Sequence, residues 1–395
     1  MATKLGLAEI INTIPPILDS LLSHLTIADL RQLHGVCKAL WWLIDEAARR
    51  VDHKIGRFIK ERKVFFQQLK KNRGFVYGPF VLDLLDLTRC PSGVLDVYVE
   101  SGPRLSSFGR YLEDAEHYVL LRTDATGCSS YGHDPAGHPR IRLRTYDGAP
   151  CRAILGSACT TADVNFMSWN KIYSIFPSAT IDHHKFYPLK IFDDNHGAHL
   201  KEMNQLGWTT RDLRRPDETT QPIRESGPRR VGDSLSFVFQ LDDDTTEPGD
   251  AENASFYRSI EYSLFDVVDI EISRSRYDIG TPYNFGSSLG LQRIQTRIEI
   301  NEVASPALRL RYTCGSETAN RSWSLYIKSR LERWAIIEFL KMGPEGRPTQ
   351  FRNAVTPLGS GIAVPDGFEV PTDWNYADDQ IPIWYDLWKD LIASK

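Results

Sequence analysis

The chain has 395 residues, 42% of them apolar and 25% charged, with a formal net charge of -4. This is the composition of an ordinary globular protein long enough for two or three domains, and neither sign of charge is concentrated as nucleic-acid binding requires. The six cysteines, Cys37, Cys90, Cys128, Cys151, Cys159 and Cys314, include no C-x-x-C pair, which argues against a zinc site or a dense disulfide framework. Asn12, Pro15, Pro16 and Asp19 interrupt the N-terminal apolar runs, so neither an export signal nor a membrane span is expected, and cytoplasm or nucleus is the expected location.

From Pro16 to Ile44 two apolar series recur at three- and four-residue steps: Ile17, Leu18, Leu21, Leu22 and Leu25, then Leu30, Leu33, Val36, Cys37, Leu40 and Trp41. That spacing predicts two short helices. Thr26, with Asp29 three residues on, has the form of a hydroxyl cap followed by an acid in the first turn. A unit of about 40 residues buries too little surface to be stable alone, so its apolar face calls for a partner or for the rest of the chain.

Ser23 to Leu30, Leu33, Val36-Cys37-Lys38 and Trp41-Trp42-Leu43-Ile44 resemble the F-box family in order, spacing and residue type. The resemblance implies a three-helix module over residues 8–50. It would dock on a Skp-type adaptor and, through it, on a cullin-RING ubiquitin ligase. Leu18, Leu21, Leu22, Leu25, Leu30, Leu33, Val36 and Cys37 would supply the docking surface or its immediate support. Family members usually open with Leu-Pro and an acid two residues later, whereas this chain has Ile14-Pro15-Pro16-Ile17 and no acid. Residues 51–72 predict a connecting helix, with Phe58, Ile59, Val64, Phe65, Phe66 and Leu69 on one side and a basic, solvated face on the other.

Next, Phe75-Val76-Tyr77 predicts a strand, Gly78-Pro79 a turn with proline in the first helical position, and Phe80 to Leu87 a helix. In a strand from Val94 to Val99, Leu95, Val97 and Val99 share one face while Asp96 and Tyr98 share the other. Strand, glycine turn, helix and acid-bearing strand together resemble the nucleotidyltransferase superfamily, with residues 73–240 as the domain. In that family a glycine pair cradles phosphate and carboxylates two residues apart hold metal ions. Gly78, Asp96 and, more distantly, Asp163 in the strand-like Ala162–Met167 match this pattern. Pro79 stands where a small residue is expected and Tyr98 where the second carboxylate should be. A phenol is a poor magnesium ligand at neutral pH, so the resemblance implies a degenerate domain with no catalytic residues, no metal and no cofactor; an active transferase using Gly78, Asp96 and Asp163 is the alternative. Ala162 to Asn170, Tyr173 to Thr180 and Arg229 to Ser236 also resemble segments of fungal F-box proteins that pair the two domains.

His133 and His138 flank a Pro-Gly loop, and His183 and His184 are adjacent, so neither pair predicts a shared metal. Residues 241–254 are acidic and predict a mobile surface loop. From 255 to 395 the pattern predicts a β-rich region with helices. Val268, Ile270, Ile272, Ile298 and Ile300 alternate, and Leu308, Leu310 and Tyr312 are expected to face Trp323, Leu325 and Ile327 across a hairpin. A helix follows over Leu331–Met342 with Trp334, Ile337 and Leu340 inward, then an irregular connector over Gly359–Trp374 and a terminal amphipathic helix. Trp374, Tyr376, Trp384 and Trp388 are the expected substrate-recruiting aromatics. The fold class expected is α+β, and the function expected is an adaptor that links a ubiquitin ligase to an unknown substrate protein.

Overall fold

The computed structural model describes residues 15–88, 91–133, 139–190, 196–208, 227–241, 251–272, 293–316, 322–348 and 368–394. The architecture is mixed α/β. At the N-terminal end of the described chain, α1 (Pro15–His24), α2 (Ile27–His34) and α3 (Leu43–Ile55) are joined by short turns. Thr26 and Asp29 form the capping box that the sequence suggests. Asp29 N–H donates to the Thr26 hydroxyl at 3.2 Å, and Thr26 N–H donates to the Asp29 carboxylate at 2.8 Å, so two orphan donors are satisfied at once.

The expected connecting helix is broken. α3 stops at Ile55 with Gly56 as its C-cap, and α4 (Arg62–Lys71) starts afresh. Glycine is the weakest helix former besides proline, and the break lets Phe58 and Ile59 enter the core, with Phe58 edge-on to Phe80 at 5.1 Å. Basic residues of α3 and of the turn after it are paired with the body instead of being solvated: Lys54 and Arg57 meet Asp83, and Arg50 and Lys54 meet Asp86. Arg50 also donates to the carbonyls of Leu22 and Leu25, which pins the end of α1 to α3.

β1 (Phe75–Tyr77) and β2 (Val94–Glu100) lie where the sequence puts them, and α5 (Pro79–Leu84) starts as expected but ends three residues before Leu87. α6 (Pro103–Asp114), β3 (Val119–Thr123), β4 (Ser129–Gly132), β5 (Arg140–Tyr146) and α7 (Pro150–Ser157) follow. β6 (Asn165–Met167), β7 (Lys171–Ser174), α8 (Gly197–Gln205), β8 (Gly227–Arg230) and β9 (Phe237–Gln240) complete this part. Eight strands form one sheet in the order β3-β4-β5-β2-β1-β6-β7-β9, antiparallel except for the central β2–β5 pair.

Alternation along the strands gives the sheet two apolar faces. Val76, Leu95, Val97, Leu143, Met167 and Phe239 face a core shared with α2 to α6, while Phe75, Tyr98, Tyr146, Phe166 and Tyr173 face the C-terminal part. That part comprises α9 (Ala251–Glu261), β10 (Leu264–Ile272), β11 (Arg293–Glu299), β12 (Asn301–Val303), β13 (Tyr312–Cys314), α10 (Trp323–Lys341) and α11 (Ile381–Ala393).

Two C-terminal expectations are corrected. Tyr312–Cys314 pairs with Asn301–Val303 and not with Trp323–Ile327, which forms the first turns of the 19-residue helix α10. Trp323, Ile327, Leu331, Ala335 and Phe339 recur every four residues and are all buried, and Ser322 caps the helix on Leu325 N–H at 3.3 Å. Ile337 and Leu340, expected inward, are more than half exposed, at 55% and 51%. The acidic stretch from 242 to 250, the connector from 359 to 367, and His138 lie outside the described residues.

Candidate functional site

Two places bear on function: the polar half of the second sheet face, and the outer side of the N-terminal helices. In the first, strand register puts Tyr77 opposite Asp96 and Asp96 opposite Arg142, with Tyr98 opposite Arg144 one step along. All five side chains therefore leave the same face. Gly78 follows with φ +78, a conformation that glycine adopts without strain, and a Cβ there would stand 3.6 Å from the Asp96 carboxylate. The glycine turn and the acid are thus neighbours, as the sequence suggests.

The chemistry of the pair differs from that of a metal site. The Asp96 side chain is 3% exposed, and Arg142 engages both its oxygens, with Nη2 donating to Oδ2 at 2.6 Å and Nε 2.6 Å from Oδ1. The Nη2 contact is a charge-assisted hydrogen bond, and the Nε contact is a close charge contact without hydrogen-bond alignment. Burial acts against the Arg142 charge, yet the adjoining Asp96 overcomes it and holds the guanidinium pKa above its ordinary value. A cation could reach Asp96 only by displacing Arg142.

Asp163, the other expected acid, sits elsewhere. It closes a 3-10 turn, not a strand, and its Oδ2 accepts from Thr160 N–H at 2.8 Å, Thr160 Oγ at 3.0 Å and Cys159 N–H at 3.1 Å. Its Oδ1 lies 3.0 Å from His199 Nε2 on α8. One turn further along α8, Glu202 stands 4.0 Å from Arg142. α8 therefore reaches both places, setting His199 beside Asp163 and the Glu202 carboxylate near Arg142. The Asp163 carboxylate facing the ring raises the His199 pKa above its usual value, against the opposing effect of burial. Among the described residues no group of three or more His, Cys, Asp or Glu is placed to hold a metal ion.

Tyr98, standing where a second carboxylate would be expected, stacks on Tyr77 with ring centroids 4.2 Å apart. Burial first, and Asp96 second, raise the Tyr77 pKa, so the phenol stays protonated. The arginines of β5 escaped the sequence reading, although Arg140-Ile141-Arg142-Leu143-Arg144 alternates as a half-buried strand should and could have indicated a basic stripe.

No family model matches this chain. No curated protein and no solved structure is found similar to it either.

At the N-terminal helices the leucines are unevenly covered. Leu30 is fully buried; Leu18, Leu21, Leu22, Leu25, Leu33 and Cys37 pack against the core yet remain partly open. Val36 is 70% exposed and Trp41 54%. The side of α2 that bears Ala28, Arg31 and Gln32 instead faces the body across a cleft that also includes Asp182 and Phe237, with the Arg31 guanidinium 4.9 Å from the Phe237 ring centre.

The expected recruiting aromatics are mostly structural, which corrects that expectation. Trp374 is 6% exposed, packs on Phe339 at 5.2 Å and donates its indole N–H to Pro306 O at 3.1 Å. Trp384 is 7% exposed and meets Trp334, while Trp388 packs on Trp323 at 5.5 Å and Tyr376 lies beneath Arg309. Trp374 and Trp384 are thus covered and hold the domain together, whereas Tyr376 and Trp388 are half-buried. The exposed side of α11 is aliphatic: Ile383, Leu387, Leu391 and Ile392.

His133 stacks on Tyr118 at 4.2 Å and His184 on Trp208 at 4.2 Å, so each ring has an aromatic partner. Among the described residues no helix is long and apolar enough to cross a membrane.

Proposed function

We propose that the chain is an F-box adaptor: its N-terminal helices dock on a Skp-type protein, which couples it to a cullin-RING ubiquitin ligase, and its α/β body recognises a substrate protein. The observation that carries this reading is the N-terminal helical segment, where six apolar residues of α1, α2 and the turns beside them stay partly open and Val36 and Trp41 after α2 are exposed. Apolar groups left open on an otherwise packed module favour cover by another protein. Only Leu30 of the eight expected contact residues is sealed, and it would act as support beneath the surface. The adaptor role requires no catalytic residue, metal or cofactor in this chain, and the ligase machinery places it in the cytoplasm or nucleus. The transferase alternative would require Asp96 and Asp163 to share a site, whereas each has a separate partner, Arg142 and His199.

Co-expression of the full chain with a Skp-type adaptor tests the reading. Val36→Asp with Trp41→Asp leaves the core untouched, because both side chains are exposed, but sets two carboxylates into the proposed interface at a cost of several kcal/mol. The wild-type chain should co-purify with the adaptor and the double variant should not. Equal recovery of both would end the assignment.

A further inference from the structure

The parallel strands β2 and β5 end side by side, and each runs through a glycine into a proline-started helix. After β2 the chain passes Ser101 and Gly102 (φ +80) into α6; after β5 it passes Asp147 and Gly148 (φ +92) into α7. The two helices leave on opposite sides of the sheet. Phe108 and Leu112 of α6 belong to the core shared with the N-terminal helices, and Cys151, Ile154 and Leu155 of α7 belong to the other. The connections also diverge, α6 leading outward to the edge strand β3 and α7 leading across to β6. Neighbouring parallel strands whose connections part in this way open a crevice beyond their carboxyl ends, where α/β proteins bind ligands.

A cleft of about 280 Å3 occupies that crevice, lined among others by Arg73, Glu100, Asp147, Gly148, Arg309 and Arg311. Positive charge predominates. Arg73 and Arg104 share Glu100, and Arg152 and Arg311 share Glu302, whose carboxylate stands under Gly148 so closely that a Cβ there would come within 2.7 Å. The Ser101 hydroxyl donates to Asp147. Among the described residues no carboxylate lies within ion-pair distance of the Arg309 guanidinium, which rests 4.7 Å above the Tyr376 ring. With Asp378, whose carboxylate accepts from the Arg309 and Leu310 N–H groups at 2.8 and 3.1 Å, five arginines thus meet four carboxylates around the cleft. Arg73 holds φ +52, an unusual conformation for a residue with a side chain, and its guanidinium is stacked 5.3 Å over Phe256 and bonded to Glu100. Such strain persists where the surroundings fix a side chain in place.

We infer that this cleft binds a small phosphate monoester. Arg309 and Arg311 would grip the dianion, for which planar guanidinium donors are well matched. The volume admits a phosphoryl group with a compact substituent and little more. The site is independent of the adaptor reading, because it lies at strand ends that α1 and α2 do not touch.

The test is calorimetric titration of the full chain with glycerol phosphate and inorganic phosphate at constant ionic strength, with chloride as reference. Arg309→Gln with Arg311→Gln is the variant, and circular dichroism of the unliganded forms verifies folding; both side chains are solvent-exposed, so the wild-type spectrum is expected. Saturable binding of glycerol phosphate, weakened at least roughly tenfold in the variant, is the expected result. Absence of saturable binding overturns the proposal, as does binding that the variant leaves unchanged. A phosphoserine peptide forms a third arm: binding of the peptide alone, with none of the small ester, also overturns the small-molecule assignment.

Discussion

Replacing Asp96 with Asn separates a structural ion pair from a metal-binding carboxylate. The Asp96 side chain is 3% exposed and Arg142 32% exposed, so the variant leaves a mostly covered guanidinium without its counter-charge. Breaking a fully buried pair costs about 3–5 kcal/mol, and water that reaches the exposed third of Arg142 reduces this to about 2–3 kcal/mol. An unfolding entropy of about 2.1 cal/mol/K per residue gives roughly 0.8 kcal/mol/K for a chain of this length. The midpoint of a single unfolding transition should therefore fall by about 2–4 °C. Replacing Arg142 by Met as well removes the stranded charge and should recover part of the loss, giving a coupling of about 1–2 kcal/mol in the double-mutant cycle. Calorimetric or denaturant unfolding of the four proteins, with and without magnesium, provides the measurement. Removing a metal-binding acid would instead leave apo stability unchanged or raise it, and magnesium would stabilise the wild type but not the variant. Either outcome would refute the ion-pair reading.

Two further perturbations follow from the same geometry. His199 has a raised pKa in the folded state because the Asp163 carboxylate faces it, so its contribution to stability is complete below the unfolded value of 6.5 and disappears as pH rises through the folded value. His199→Gln should abolish a decline in stability over that window, and denaturant midpoints of both proteins at pH 6 and pH 8, within roughly the range where histidine titrates, measure it; an equal pH dependence in the variant contradicts the assignment. In α11, Trp384→Ala should cost about 3–5 kcal/mol, whereas Leu387→Glu, on the exposed side, should change stability by less than about 0.5 kcal/mol. Comparable losses from both would contradict the burial pattern.

The sequence disclosed these elements unequally, and the reasons are local. Helical spacing and the Thr26–Asp29 cap revealed α1 and α2 because both signals depend on residues within one turn of each other. β1, α5 and β2 were legible from the Gly78-Pro79 punctuation and from alternation. Trp323-Ser-Leu325-Tyr-Ile327 misleads because three apolar residues at two-residue spacing fit a strand as well as they fit the start of a helix. The four-residue recurrence from Trp323 to Phe339 shows itself only over the longer window, and Leu325, inward in a strand, is 47% exposed. At the candidate site Gly78 and Asp96 were legible as neighbours, but the partner of Asp96 was not. Arg142 lies 46 residues away and meets it through parallel register, a long-range pairing that no short window contains. The aromatic residues of the C-terminal part were misread as a surface for a related reason. A Trp stripe reads alike whether it faces solvent or another helix, and only α10 packing on α11 decides.

The adaptor role is tested most directly by titrating the purified full chain against a purified Skp-type protein and measuring the equilibrium constant. A saturable one-to-one complex with Kd at or below roughly 1 µM is expected for an interface centred on Val36, Trp41 and the half-open leucines. A folded chain that forms no complex at concentrations of about 100 µM would contradict the assignment.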